Sequence, residues 1–211
     1  MAYGIYDSTQ AKVIAEFVTP LTVRSNQPVT VSDTLSLKRN TFRRATQRWE
    51  VEARLSPLST SAQDLMVNFI TKGVSETMQI IMPQNYGAKQ AKTATSTVAI
   101  YAATAASASQ LLISANASNN AKVIPKGTFI KFSNHTKIYM ITSDAVLSGT
   151  LNTVALNIYP VLRSAVPAGT TITYQDDVIM NCKYDTDTVI GMVYEDGILM
   201  DNGTVKLVEA I

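Results

Sequence analysis

The residues able to do chemistry are few and scattered. His135 is the only histidine and Cys182 the only cysteine in 211 residues. A structural zinc site gathers four His, Cys or acidic ligands around one ion, and a catalytic one gathers three. A lone cysteine also excludes an intramolecular disulfide or a paired-cysteine metal clip. His135 lies in "SNHTKIY", with no cysteine or acid close by in sequence. A polar residue at a turn or strand edge is therefore a better reading of it than a general base. The acids Asp176 and Asp177, then Asp185, Asp187, Glu195, Asp196 and Asp201, raise paired-carboxylate glycoside hydrolysis or calcium binding. EF-hand spacing is absent, and one Trp with 7% aromatics offers little surface for stacking sugars. An acidic, turn-rich edge is the better reading. No nucleophile elbow, Walker A loop or dinucleotide glycine pattern occurs. The expectation is a protein without catalysis, metal or cofactor. A cell-wall hydrolase using Asp176 and Asp177 is the enzyme reading this displaces.

One cluster remains. Lys38, Arg39, Arg43 and Arg44, with Phe42 among them, precede Arg48 and Trp49 in "KRNTFRRATQRWEVEARL". Phosphate binding uses cations on one face, and single-strand binding adds interleaved aromatics. A net charge of +2 is too small to imply nucleic acid. From Val178 onward the chain carries six acids against two lysines. Contact between the basic cluster and that acidic edge, in a second copy of the chain, is preferred over a grip on DNA.

The elements that must position these groups are mostly strands. After Arg48, the strand "RWEVEARL" alternates: Trp49, Val51, Ala53 and Leu55 share one parity, and charged residues take the other. Period-2 alternation places the first set on a core and the second toward solvent or a neighbour. Trp49, Val51 and Leu55 are the expected core anchors. With "VSDTLSL" before it, this strand brackets Lys38–Arg44 as a hairpin tip. One helix is expected in "SAQDLMVNFITKG", capped by Ser59, Thr60 or Ser61 and stopped near Gly73. Leu65, Met66, Phe69 and Ile70 form its apolar stripe. "ETMQIIMP", "STVAIY", "QLLIS", "VIPKGTFIKF", "HTKIYMIT", "TVALNIY", "TTITY", "VIMNCKY", "VIGMVY" and "TVKLVEA" read as further strands. No apolar run is long enough to cross a membrane as a helix.

Composition divides the chain. Residues 93–121 contain no charge at all, and the sequence turns acidic near Asp176–Asp177. Three segments follow: 1–90, 91–177 and 178–211. The last is too short to fold alone and is expected to complete the sheet begun by the first, with 91–177 inserted as a small β-barrel. Charged residues make up 16% of the chain, below the usual quarter. That suits a subunit that buries surface in an assembly.

"QRWEVEARLSPLSTSAQDLMVNFITKG" followed by "MQIIMP" resembles the distal tail, or baseplate-hub ring, proteins of long-tailed bacteriophages. "KGTFIKFSNHTKIYMITSD" with "LNIYPVLRSAVPAGTTITY" is similar to an extra β-domain that many of them carry, and "VYEDGILMDNGTVKLVEAI" to their closing hairpin. The resemblance implies a mainly β fold: a tail-tube-like sandwich or barrel from 1–90 and 178–211, one flanking helix, and the inserted barrel 91–177. It implies a structural subunit of the virion tail, assembled in the host cytoplasm. Such subunits form a ring, commonly a hexamer, that joins the tail tube to the baseplate or tail tip around the DNA channel. The expected partners are other copies, tube proteins and tail-tip proteins, with non-specific contact to passing DNA and no membrane. In that setting Lys38, Arg39, Phe42, Arg43 and Arg44 would meet the adjacent ring or subunit. Tube, tube-initiator and terminator proteins share the fold and are the alternatives, as is an adaptor that holds a host receptor or receptor-binding protein through 91–177.

Overall fold

The computed structural model describes residues 3–8, 11–33, 39–43, 46–57, 76–84, 98–114, 122–146, 153–175, 177–185, 193–196, 198–201 and 204–211. In chain order the first strands are β1 (Gly4–Asp7), β2 (Lys12–Asn26), β3 (Val29–Asp33), β4 (Arg39–Arg43), β5 (Arg48–Pro57) and β6 (Met78–Ile81). Next come β7 (Ala99–Ile100), β8 (Gln110–Ser114), β9 (Lys122–Ile124), β10 (Phe129–Phe132), β11 (Ile138–Ile141) and β12 (Ala145–Val146). The last are β13 (Thr153–Tyr159), β14 (Ile172–Thr173), β15 (Ile179–Tyr184), β16 (Val193–Glu195), β17 (Ile198–Asp201) and β18 (Thr204–Glu209). No helix occurs among the described residues. The expected helix over 59–73, with Leu65, Met66, Phe69 and Ile70, lies outside them.

Six strands close a barrel in the order β1-β2-β5-β18-β15-β6. Every neighbouring pair is antiparallel. Closure leaves no strand edge in the ring of ladder bonds. The apolar parity of β5 faces inward: Trp49, Val51, Ala53 and Leu55 are buried. They pack with Met180, Cys182 and Tyr184 of β15 and Val205 and Leu207 of β18. The charged parity faces out with one exception. Glu50 is buried and accepts a 2.5 Å hydrogen bond from Asn26, with Arg48 3.7 Å away. Farther along the same face, Arg24 of β2 reaches Glu52 at 3.0 Å.

Nothing in the reading of residues 1–26 anticipates β1 and β2. The alternation of β2 is broken by a bulge. Val18 pairs with Arg54 and Thr22 with Glu52, so Thr19, Pro20 and Leu21 all stand opposite Ala53. Pro20 has no N–H to offer a ladder, and a bulge is where a sheet tolerates it. Gly4 is required for a different reason: a Cβ there would stand 1.8 Å from the carbonyl oxygen of Ala15.

The second core belongs to a six-stranded sheet in the order β14-β10-β11-β13-β8-β7. Its two ends meet. The Ile100 amide donates to the Thr170 carbonyl at 2.9 Å, the Ile172 amide donates to the Val98 carbonyl at 3.0 Å, and Ala99 bridges Thr171. The sheet is thereby rolled around Ile113, Ile124, Ile130, Phe132, Tyr139 and Leu156, all fully buried. The strands "QLLIS", "TVALNIY" and "TTITY" all contribute. β9 and β12 form a two-stranded ribbon whose Val123, Ile124 and Ala145 join this core.

Two further ribbons are hydrogen-bonded into neither closed sheet: β3 with β4, and β16 with β17, of which β17 lies against β5. The first corrects the expected placing of the basic cluster. Arg39 to Arg43 are a paired strand rather than a tip, with Asp33 opposite Arg39 and Val29 opposite Arg43. Thr41 and Phe42 favour extended backbone, which explains why the strand continues through the cations. Lys38 and Arg44 lie outside the described residues.

Candidate assembly surface and the junction between the two cores

The β3–β4 ribbon has the character of a contact surface. Every residue of β3 is exposed. Val29, Val31 and Phe42 rank among the large apolar side chains left in solvent, and Phe42 is 69% exposed. Arg39 lies 3.9 Å from Asp33, a loose ion pair on an open surface that contributes little. An isolated two-stranded hairpin is marginal in water, and Val29, Val31 and Phe42 leave apolar surface exposed on this one among the described residues. The ribbon thus presents Arg39 and Phe42 as exposed residues of β4, which runs on to Arg43, with Lys38 and Arg44 adjoining it in sequence.

A second feature was not foreseen from sequence. Where the closed barrel meets the second core, β18 ends in Glu209, whose side chain is fully buried. Its carboxylate accepts from the Trp49 amide at 3.1 Å and from the Ile138 amide at 2.8 Å. It also pairs with the Lys137 ammonium, itself 3% exposed. Lys137 donates a further hydrogen bond to Gln47 at 2.8 Å, and Gln47 donates to Ser25 at 3.0 Å. Burial pushes the Lys137 ammonium below the usual lysine range, and the neighbouring Glu209 charge opposes that shift. Buried charges persist only when paired and hydrogen-bonded, and here the shell supplies those partners.

Trp49 completes the junction. Its indole N–H donates to the Ile138 carbonyl at 2.9 Å. Phe129 packs edge-on with ring centroids 5.1 Å apart, and Tyr159 does so at 6.1 Å. A buried indole needs such a hydrogen-bond partner. Gln84 ties the same two regions farther along. It donates to the Phe129 carbonyl at 2.8 Å and accepts from the Phe129 amide at 3.0 Å. Lys131 donates to the Ile179 carbonyl at 3.1 Å. Trp49 is therefore both a core anchor and a clasp, and Val51 and Leu55 are buried in the same core.

The residues weighed for chemistry are placed as follows. His135 follows a turn, and its Nε2 lies 3.0 Å from the Tyr139 hydroxyl. Burial, then the charges of Arg163 and Lys131, hold its pKa below the usual histidine value. Cys182 is buried, and burial pushes its thiol up to about 12. Asp177 is exposed, Asp185 pairs with Lys206 at 2.6 Å, and Asp176 lies outside the described residues. Among the described residues no group of three or more His, Cys, Asp or Glu converges as a metal site would. No helix among them is long and apolar enough to cross a membrane.

Residues 88–172 match the family described as the B domain of distal tail protein pb9. The match runs through the uncharged 93–121 stretch and ends within β14. No curated protein matches the chain. The likeness to phage distal tail proteins seen in the sequence therefore holds. Residues 88–172 thus carry a distal-tail-protein domain, which supports a structural role in the bacteriophage tail.

Proposed function

We propose that this phage tail protein is a ring subunit at the distal end of the tail tube, joining the tube to the baseplate or tail tip and surrounding the DNA channel. The observation that carries the reading is the distal-tail domain at 88–172 held between two flanks that together close a separate barrel. Identical copies, commonly six, would close the ring. The β3–β4 ribbon supports the assembly side, because Val29, Val31 and Phe42 are exposed on a hairpin that nothing in the chain covers among the described residues. Lys38, Arg39, Phe42, Arg43 and Arg44 are its proposed contacts to an adjacent ring or subunit, with acidic partners. Such contacts are sensitive to salt.

The second barrel then stands as the inserted unit, 91–177, fixed to the first through Glu209, Lys137 and Trp49. A rigid clasp suits a part that passes load between tube and tip. The same insertion supports a second reading, an adaptor for receptor-binding proteins. Electron microscopy of the particle with the subunit labelled tests both. A ring at the tube's lower end is the expected image. Label along the tube, at its head-proximal end, or only on peripheral fibres would overturn the proposal.

A further inference from the structure

Lys137, Glu209 and Gln47 form a closed set where the two cores meet, and all three are buried. The Lys137 Nζ touches a Glu209 carboxylate oxygen on one side and the Gln47 amide oxygen, at 2.8 Å, on the other. The Gln47 Nε2 donates to the Ser25 Oγ at 3.0 Å, which orients the amide. Backbone amides of Trp49 and Ile138 hold the Glu209 oxygens, and the Trp49 ring lies 6.0 Å from Nζ. An amine, a carboxamide and a carboxylate are thus fixed in contact and shielded from bulk water. Those are the three groups that an exchange of one amide for another requires. An ammonium is no nucleophile, whereas a neutral lysine amine is one, and burial favours the neutral form. The Lys137 ammonium is accordingly pushed below the usual lysine range. Fixed contact replaces the encounter that makes such a reaction slow between free side chains, and a carboxylate touching the amine can carry its protons.

We propose that Lys137 and Gln47 become joined by a side-chain amide bond within the folded chain, with Glu209 carrying the protons. The Lys137 ammonium gives one proton to Glu209 and becomes a neutral amine. Its Nζ attacks the Gln47 Cδ, and a carbonyl electron pair moves onto Oε1. Glu209 protonates Nε2 and takes a proton from Nζ as the carbonyl re-forms. The Nζ–Cδ bond is made, the Cδ–Nε2 bond is broken, and one ammonia departs. Nothing is oxidised or reduced, and Glu209 ends with the proton that Lys137 brought. All three side chains line a cleft of about 480 Å³, through which ammonia can leave. Gln47 directly precedes β5 of the first barrel, and Lys137 directly precedes β11 of the second. The bond therefore ties the two cores covalently between residues 90 positions apart, and it does not depend on how the protein assembles.

Mass spectrometry of the full chain tests it. The folded wild type, kept for days at room temperature, should weigh one ammonia less than its sequence. A tryptic digest should then contain a branched peptide, with Ala45–Arg48 joined to Phe132–Arg163, because an acylated Lys137 is no longer cleaved. Lys137→Arg and Glu209→Gln should both keep the full sequence mass, with cooperative melting by circular dichroism as the check on their folding. A folded wild type that retains its full mass overturns the proposal, whatever the variants do. So does an ammonia deficit without the branched peptide, or one that persists in Lys137→Arg, since cyclisation at Asn202–Gly203 would lose the same mass. A branched peptide that forms equally in Glu209→Gln overturns the role given to Glu209.

Discussion

The two barrels reach closure by different routes. In the second, most ladders join strands that are near in sequence: β7 with β8, β10 with β11, β11 with β13. In the first, β5 pairs with β18 and β6 with β15, across the whole of the other barrel. Long-range closure carries a greater loop-entropy cost before its contacts form. The first barrel therefore gains from the second already being compact, because that brings β6 and β15 together. The clasp at Glu209 then couples the two. A local fold is thus held inside a non-local one and tied to it by a buried ion pair.

The strongest perturbation strikes the non-local barrel. Val51 is fully buried between Val23 and Leu207. Val51→Asp places an unpaired charge there, with a cost of several kcal/mol that the fold cannot absorb. No soluble, cooperatively melting protein should be recovered; a well-folded variant would mean that the inward and outward parities are reversed. Next, Lys137→Met leaves Glu209 buried without its cation and should cost about 3–5 kcal/mol in denaturant unfolding. It should also split one transition into two as the barrels uncouple. Adding Glu209→Gln should recover much of the loss, and an unchanged single transition in Lys137→Met would refute the coupling. Trp49→Phe removes the donor to the Ile138 carbonyl and should cost about 1–3 kcal/mol, with the two barrels still folded.

Charge reversal at Arg43 and Arg44 should leave the monomer's melting curve unchanged. Light scattering should show assembly weakened several-fold, most strongly at low salt. Loss of DNA binding with assembly intact would instead mark the ribbon as a phosphate grip. The smallest effect concerns pH. The folded pKa of His135 is held below its unfolded value of about 6.5, so the neutral ring is the favoured folded form. Its contribution is complete above about pH 6.5 and is lost as pH falls through the lowered value. The second barrel should therefore soften at mildly acidic pH, and His135→Gln should flatten that part of the profile. An identical profile in the variant would rule the histidine out.

Legibility from sequence varied with how local the signal was. The β5 parity and most strands of the second barrel stand out because period-2 alternation and Gly, Asn and Pro turns are local patterns. β1 and β2 are hidden because Pro20 and the bulge at Val18–Thr22 interrupt that alternation. The basic cluster reads as a hairpin tip because it falls between two strand patterns, yet Arg39 to Arg43 form a paired strand. Glu209 was legible only as the acidic end of a closing strand. Its partner Lys137 lies 72 residues away, and no spacing rule connects them.

Composition and alternation were enough to establish a β protein poor in charge, without a clustered catalytic or metal signature, with a basic stretch and an acidic end. Those are properties of single residues and their near neighbours. Which strands close against which, why Glu50 and Glu209 are buried, and how Trp49 joins two cores depend on residues brought together from opposite ends of the chain. A buried charge is tolerated only where every partner has arrived, and that arrival is a property of the folded molecule alone.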